Sequence, residues 1–492
     1  MPILTEKTEI SIDSIRADIC SIFHDSSDSI QREEKLFAYF SALFSLLLSV
    51  ILEEMDKVLY EERYKKEGYT VSRIDERTIC CLWGALTYRR RLLKKDGKKS
   101  FYPLDRKMGF EPRKRYSLAM IMRIATAMAV TPSRSASKII KALTTIDISH
   151  QTAVAMKEFA GKKIVKYQAE KAQEIPDKKE VPTSGILVIE GDGIILKSKD
   201  GGKKEELHRL QIYTGVKKNG NRTELTGLQC FSGLDRAALV KQVKMFVQNR
   251  FDLRNITVLS NGDGGAGYQY SDFENIVEGC KAHYHFRDRF HVNEKIRTRL
   301  SFCKKGLVEA IIHEMSATPD IKPYISAWMD TAAAQAETEK DNEEVEKLRG
   351  YLERNAEFIP SLKQRGISTD IHLGTAETNH RSYSYRLKRQ GRVWSPHGLE
   401  HMAAVLTALK NGYLSEALLH RAAGKNYKKN DRLFKKVTKQ VSQEERRRLA
   451  KQREAQRRRQ RNYRPGCTAG RIANYGPSSA PLARLAVSIQ FL

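Results

Sequence analysis

Three acids in this 492-residue chain sit where a carboxylate is costly or conspicuous. Asp192 interrupts the apolar run Val188-Ile189-Glu190-Gly191-Asp192-Gly193, at a sheet position otherwise reserved for core residues. Asp263 ends a second apolar run, Val258-Leu259-Ser260-Asn261-Gly262-Asp263, and two glycines follow it. A strand end that opens into glycine is where backbone can admit a ligand and where α/β sites form. Glu377 stands near a helix start in Gly374-Thr375-Ala376-Glu377, followed by the bases Arg381, Arg386, Lys388, Arg389 and Arg392. Three carboxylates brought together cannot all stay ionised without a cation, and hard divalent ions with oxygen ligands answer that need. Two such ions about 3.5–4 Å apart activate an attacking oxygen and stabilise a leaving one in phosphoryl transfer. Nearby Lys and Arg would hold the phosphates. Each acid alone has a plainer explanation: Asp263 as a turn residue, Glu377 as a solvated helix acid. Glu190 lies two residues before Asp192 and so faces the same side of the strand, as a supporting acid or as the ligand itself.

Cys280-Lys281-Ala282-His283 has the spacing of half a zinc site, but without a second pair it points to packing or DNA positioning. Arg289 and His291 lie shortly after it and support either the site or the fold. The seven cysteines are scattered in no regular frame, which excludes a disulfide-stapled secreted domain.

Charge narrows the partner. Lys and Arg number 87 and Asp and Glu 59, a net of +28. Residues 425–464 carry 17 bases against 4 acids, and residues 89–115 carry 12 against 3. Residues 330–357 reverse the sign, with 9 acids against 4 bases. Two separated basic zones in one chain point to a polyanion; composition alone does not choose among DNA, RNA and an anionic membrane.

These residues need elements to hold them. Residues 31–66 read as one long helix whose 17-residue uncharged run, 36–52, carries Ser41, Ser45 and Ser49 at a spacing of four. It is shorter than the roughly 20 apolar residues of a spanning helix and glutamates flank it, so it reads as a buried or dimerising helix. Residues 69–104 read as a β-hairpin around Lys95-Asp96-Gly97-Lys98, its arms bearing Arg89, Arg90, Arg91, Lys94 and Lys95. Helices are expected over 117–130, over 135–143 after a Ser133 cap, and from a Ser149 cap through Ala160. The last two have the outline of a helix-turn-helix, with Ser149, His150, Gln151 and Thr152 opening the recognition helix. An ordinary helical hairpin fits the same pattern. Strands are expected over 185–197, 207–214, 222–231 and 255–260, with a helix over 236–249; residues 304–370 read as helical throughout, and further helices as 376–389 and 397–410. The first thirty residues contain no apolar signal core.

Several segments together resemble the insertion-sequence transposases of the ISLre-two family and, more widely, Mutator-like transposases. They are the basic hairpin with Phe101-Tyr102-Pro103-Leu104-Asp105, Ile148-Ser149-His150-Gln151-Thr152, Glu190-Gly191-Asp192-Gly193, Asn261-Gly262-Asp263-Gly264, His285-Phe286-Arg287-Asp288-Arg289-Phe290-His291, and the stretch from Gly374 to Gly391-Arg392-Val393-Trp394-Ser395. The resemblance implies an RNase H-like core with an Asp-Asp-Glu triad, falling on Asp192, Asp263 and Glu377. It implies two Mg²⁺ ions held by those acids, for which Mn²⁺ can substitute. Cys280 and His283 match a Cys/Asp-x-x-His signature of related transposases, and the gap between Asp263 and Glu377 implies a helical insertion.

The expected fold is therefore α+β and multidomain. It comprises an N-terminal helical segment (1–68), a basic hairpin (69–116), a helix-turn-helix-like region (117–180), and the first part of an RNase H-like α/β core (181–303). An acidic helical insertion (304–370), the rest of the core (371–424) and a basic tail (425–492) complete it. The expected function is a DNA transposase acting on double-stranded DNA, at terminal repeats and target, as at least a dimer, in the prokaryotic cytoplasm and not in a membrane. An RNase H-like nuclease without strand transfer and a non-catalytic DNA-binding regulator are the alternatives.

Overall fold

The computed structural model describes residues 12–199, 203–220, 222–265, 267–389 and 392–420, with scattered helical positions between 439 and 455. The basic tail expected over 425–492 thus falls almost wholly outside the described residues. The chain divides into two compact units: Met1–Leu46, Thr78–Thr87 and Gly109–Ala422 form one, and Leu47–Arg77, Tyr88–Met108 and Ala423–Leu492 the other.

The N-terminal helices are α1 (Ile12–His24) and α2 (Ser29–Leu59). Together with the turn that continues it to Tyr64, α2 is long and apolar enough to cross a membrane by length and composition. Its serine stripe, however, is the inward face: Ser41, Ser45 and Ser49 are buried, while Phe37, Phe40 and Phe44 are about half exposed. Strands β1 (Thr70–Cys81), β2 (Gly84–Lys95) and β3 (Lys98–Phe101) form a three-stranded sheet where the sequence predicts a hairpin: the turn at 96–97 joins β2 to β3, and a second turn at Leu82-Trp83 joins β1 to β2; α3 (Pro103–Met108) follows.

Next come α4 (Leu118–Val130), α5 (Ser133–Leu143) and α6 (His150–Gln173). Ser149 caps α6 as expected, by accepting from the Thr152 N–H, and Ser117, read from sequence as the first helical residue, caps α4 by accepting from the Met120 N–H. Helix α5 starts at Ser133 itself, with Pro132 at the cap position. Helix α6 runs well past Ala160, because Ala153, Met156, Ala160, Ile164 and Tyr167 keep an apolar stripe facing inward.

The α/β part comprises β4 (Ile186–Lys197), β5 (Lys204–Tyr213), β6 (Gly215–Asn219), β7 (Arg222–Thr226), β8 (Gln229–Gly233), α7 (Arg236–Arg250), β9 (Thr257–Gly262), α8 (Tyr270–Ile276) and β10 (Ala282–Arg287). Five strands make one mixed sheet in the order β10-β9-β4-β5-β8. Strands β4, β5 and β8 are antiparallel neighbours, while β9 and β10 run parallel to β4 on its other side. The expected strand over 222–231 is two, because β7 pairs with β6 in a separate ribbon.

Helices α9 (Arg289–Arg299), α10 (Lys305–Ala317), α11 (Lys322–Ala333) and α12 (Glu339–Asn355) have their own core, with Val292, Ile296, Leu300, Trp328, Leu348 and Leu352 buried together. This helical block therefore begins one helix earlier than residue 304, since Val292 and Ile296 on α9 already belong to its core. Helices α13 (Thr375–Leu387), α14 (Pro396–Lys410) and α15 (Leu414–Leu419) return to the sheet region.

The sheet has two covered faces. Leu187, Ile189, Leu210, Ile212 and Val258 pack with α7 and α8. From the opposite face, Ile194, Leu196 and Leu207 pack with α4, α6, α13 and α14. Helices α6 and α14 meet at Gly161, where an added Cβ would lie 2.3 Å from the His401 Cβ and 2.7 Å from its Cα. Gly161→Ala should therefore destabilise the protein by about 1–3 kcal/mol, the usual cost of overpacking. Helix propensity alone would give the opposite sign by about 1 kcal/mol. Urea denaturation measures which term wins, and an unchanged or raised midpoint would contradict the close α6–α14 contact.

Candidate functional site

Strand register brings Asp192 and Asp263 together. In the parallel pair, Gly191 of β4 lies opposite Gly262 of β9, so the next residues, Asp192 and Asp263, are neighbours at the carboxyl end of the sheet. The glycines before them are required by packing. A Cβ on Gly191 would stand 2.5 Å from the Tyr268 ring, and one on Gly262 would stand 2.7 Å from the Tyr268 carbonyl. The loop carrying Tyr268 folds over both, and the Tyr268 hydroxyl donates to the Asp192 backbone carbonyl at 2.9 Å. Burial raises the Tyr268 pKa, and Asp192 and Asp263 both add to that rise, which puts the phenol within electrostatic reach of the two acids. Tyr268 is not among the residues singled out from the sequence.

Each aspartate keeps its carboxylate ordered by short-range donors. Asp192 Oδ1 accepts from the Gly193 N–H at 2.7 Å, and its Oδ2 lies 2.9 Å from His380 Nδ1. Burial works against the charge on Asp192, but His380, the Gly193 N–H and, further off, His291 outweigh it and hold the carboxyl below its usual range. Asp263 Oδ1 accepts from the Gly265 N–H at 2.8 Å. Asp263 also lines a cavity of about 390 Å³ with His291, Glu294, Lys295, Thr298 and Arg299.

Glu377 is exposed in the first turn of α13. His380, the partner of Asp192, is three residues further on and so shares its helix face. The helix is anchored by Glu190, which is fully buried on β4. Its Oε1 accepts from the N–H groups of Gly374 (2.6 Å) and Thr375 (3.3 Å) and from the Tyr213 hydroxyl (3.3 Å). Its Oε2 accepts from Gln211 Nε2 and the Thr375 hydroxyl, both at 2.7 Å. Burial pushes Glu190 up, and these five donors pull the other way. A carboxylate so fully engaged is a support for α13, the first of the two roles open to it from sequence.

The Cys280–His283 pair lies elsewhere. Side chains alternate along β9 and β10, and His283 and His285 share Ser260 Oγ at 2.7 and 2.8 Å, on the sheet face opposite Glu190 and Asp192. His283 also stacks on Tyr270, with ring centroids 5.0 Å apart. Cys280 and His283 belong to no metal-ligand cluster among the described residues, and His283 packs on the sheet face opposite Asp192. Arg289 donates to Ser316 on α10 and so braces the helical block; His291 faces Asp263 across the cavity. Among the described residues, Glu158, His397 and His401 are the group whose ligand atoms converge closely enough to hold a metal ion; Asp192, Asp263 and Glu377 do not form such a group.

The expected DNA contacts divide sharply. Arg90 pairs with Asp105 and lies over the Tyr102 ring, Arg91 pairs with the buried Asp56 at 2.7 Å, and Lys95 Nζ donates to the Glu67 carbonyl. Arg386 is 1% exposed, donates to the Met128 carbonyl and lies beside Trp394; burial first, then Arg392, lowers it to about 10. These four are structural: their ion-pair and hydrogen-bond partners lie 15 or more residues away, where no local pattern shows them. Arg89, Lys94, Arg381, Lys388 and Arg389 are exposed, and Arg392 is half-buried. Ser149 and Thr152 are tied into the α6 cap, and His150 and Gln151 are exposed beside them.

The protein is thus of mixed α/β architecture, with Asp192 and Asp263 made neighbours by the register of β4 and β9 in a five-stranded mixed sheet. Residues 30–421 match the model of an uncharacterised protein family, UPF0236, and the chain belongs to that family. A "UPF0236 protein in vanSb 3′region" of Streptococcus gallolyticus is 33% identical over 403 residues, covering 81% of this chain and 87% of its own. A UPF0236 protein of Caldanaerobacter subterraneus subsp. tengcongensis is 24% identical over 373 residues, 74% of each chain, and its name joins eleven designations. Among solved structures, a Drosophila P element transposase strand transfer complex aligns at 10% identity with a TM-score of 0.24, over 64% of this chain and 83% of its own.

The buried histidines make stability depend on pH. Burial pushes His283 down to about 4 and His285 to about 3, below the usual value of about 6.5. The unfolded chain therefore binds protons that the folded one refuses, and stability falls as pH drops from about 6.5 toward 4. The melting temperature should decline through that window, and His283→Asn with His285→Asn should flatten this part of the profile. A slope unchanged in the double variant would exclude these residues as its source.

Proposed function

We propose that the protein is a DNA transposase of the ISLre-two type, with an RNase H-like core in which Asp192, Asp263 and Glu377 form the catalytic triad. The observation that carries this reading is the register that sets Asp192 beside Asp263, with α13 anchored next to them through Glu190 and His380. The strand order supports it too: three antiparallel strands in succession, then two parallel ones beside the first, is the arrangement an RNase H-like core requires. The eleven designations joined in one relative's name suit a protein encoded repeatedly in one genome, as a self-copying element would leave it.

The donor set fits hard divalent ions, because the three acids offer carboxylate oxygen and no competing thiolate. Two Mg²⁺ ions held by Asp192, Asp263 and Glu377, replaceable by Mn²⁺, would supply activation of the attacking oxygen and stabilisation of the leaving one. The chain's own part is positioning. His380 and the Gly193 N–H hold Asp192 ionised and oriented, the Gly265 N–H fixes Asp263, and Glu190 fixes the turn that bears Glu377. In the first reaction a water oxygen bonds to phosphorus at the element end and the 3′ oxygen leaves with a proton. In the second, that 3′-hydroxyl attacks a target phosphodiester and displaces the target's own 3′ oxygen. Arg381, Lys388 and Arg389 neutralise phosphates along the approach, and His150 and Gln151 open the helix that meets base edges. Two copies must hold two ends, and the exposed Phe37, Phe40 and Phe44 are suited to join them.

Asp192→Asn, Asp263→Asn and Glu377→Gln should each lower Mg²⁺-dependent strand cleavage by more than the roughly 10–100-fold that follows loss of a group merely supporting a metal ligand, with DNA binding retained. Glu190→Gln should lose folding stability as well as cleavage, since an amide nitrogen would face donors. Intact cleavage in the three carboxylate variants would reject the triad. Binding with no cleavage in the wild type would leave a DNA-binding regulator, and cleavage without joining of pre-cut ends would leave a nuclease.

The division of the bases makes a second test. Replacing Arg381, Lys388 or Arg389 with Ala should reduce the slope of log affinity against log salt by about 0.9 each. Arg386→Gln should leave the slope unchanged and lower the melting temperature. A slope change of the same size in Arg386→Gln would overturn its structural assignment.

A further inference from the structure

Apart from the three candidate acids, α6 and α14 bring together a ligand set of different chemistry. His397 and His401 are four residues apart on α14, one helical turn, and so face the same way. Their ring centroids are 4.0 Å apart. Glu158 reaches them from α6, and one ligand atom from each of the three lies within 4.8 Å of the others. The site is built rather than incidental. His401 is buried and touches Glu158 through Nδ1, and it can sit there because Gly161 offers no Cβ. Gly398 clears the other side: a Cβ there would crowd Ser395 Oγ at 2.9 Å and approach Glu158 Oε1 at 3.6 Å. Buried Lys157 donates to the Gly398 carbonyl at 3.2 Å and pairs with Glu158 Oε1, so the carboxylate is oriented from its far side. His397 is exposed, which leaves a route in from solvent.

We propose that Glu158, His397 and His401 bind one borderline divalent transition-metal ion, of the zinc class, and that it clips α14 to α6. Two imidazoles and a carboxylate are a zinc-type donor set, and three protein ligands leave one position for water. Imidazole nitrogen is a poor ligand for Mg²⁺, so this site and the three acids discriminate between the two ions by donor chemistry. Binding releases the proton shared between His401 and Glu158, since ligands must be free of protons to coordinate. The link from α6 to α14 then gains coordinate bonds beside the Lys157–Gly398 hydrogen bond.

The test uses the full-length protein stripped of metal with a chelator and titrated with Zn²⁺ or Mg²⁺. Bound metal is counted after dialysis and melting temperature is followed in parallel. The wild type should retain one Zn²⁺ per chain that His397→Ala does not, with a Kd in the micromolar range or tighter, and should melt higher with Zn²⁺ but not with Mg²⁺. His397 is exposed, so His397→Ala without metal should melt as the metal-free wild type does, and Glu158→Gln should weaken binding by about 10-fold or more. Equal Zn²⁺ retention in wild type and His397→Ala, loss of Zn²⁺ in Cys280→Ser, or no Zn²⁺-dependent shift in melting would each overturn the proposal. None of these readouts depends on strand cleavage, so the site stands or falls independently of the triad.

Discussion

The buried carboxylate of Glu190 is the contact on which the arrangement of the candidate site depends. It belongs to the strand that carries Asp192, yet its donors are the start of α13, the hydroxyl of Thr375, and two residues of the next strand, Gln211 and Tyr213. A helix N-terminus has unpaired N–H groups and a partial positive charge, and a carboxylate answers both. The cost of burying Glu190 is met by what it fixes, a helix held end-on to the sheet. Gln211 extends the same network, accepting from Asn379 one turn along α13. This anchor fixes the N-terminal turn of α13, which bears Glu377 and leads to His380, while Tyr383, Arg386 and Leu387 hold the rest of the helix.

Much of this was legible in the sequence where the signal is local. Acids interrupting or ending apolar runs marked β4 and the end of β9, and the Ser149 cap marked the start of α6. The signal failed where the deciding partner is distant. Strand β10, Ala-His-Tyr-His-Phe-Arg, carries two histidines on the buried side, and a polar residue at each inward position hides the alternation that identifies a strand. Their suitability comes from Ser260, more than twenty residues earlier. Glu190 could be placed on the same side as Asp192 by strand period alone, but its choice between ligand and anchor rests on Gly374 and Thr375, over 180 residues away. The serine stripe of α2 reads as the polar side of an apolar helix. It is the buried side, because small residues allow close approach there and leave the phenylalanines outside.

The same distinction governs charge. A net of +28 invites every base to be read as a phosphate contact, yet Arg90, Arg91 and Arg386 are spent on Asp105, Asp56 and a backbone carbonyl. Arginine suits that work: it stays charged when buried and its planar head stacks on Tyr102 or lies beside Trp394. The exposed remainder of the basic segment after Glu377 is therefore smaller than the sequence suggests, but it is concentrated on the helix that Glu190 and His380 orient. Cations whose positions the fold has set are better placed for a phosphate contact than unfixed ones, because their ordering entropy has been met.

The two proposed sites call for two kinds of cation chemistry. Helix α14 packs against α6, and α13 precedes it, held to the sheet by Glu190. Ions that prefer oxygen suit the acids at the sheet end; an ion that prefers imidazole suits Glu158, His397 and His401. Because Asp192 also lies against His380, its site is not free of nitrogen, and what separates the two is the role of the imidazole. His380 is buried with Nδ1 2.9 Å from the Asp192 carboxylate, so it is committed to that acid, whereas exposed His397 faces its own helix partner and Glu158 with a nitrogen to offer. A histidine beside an acid is thus a poor guide to metal binding until the fold shows whether another imidazole converges on the same point.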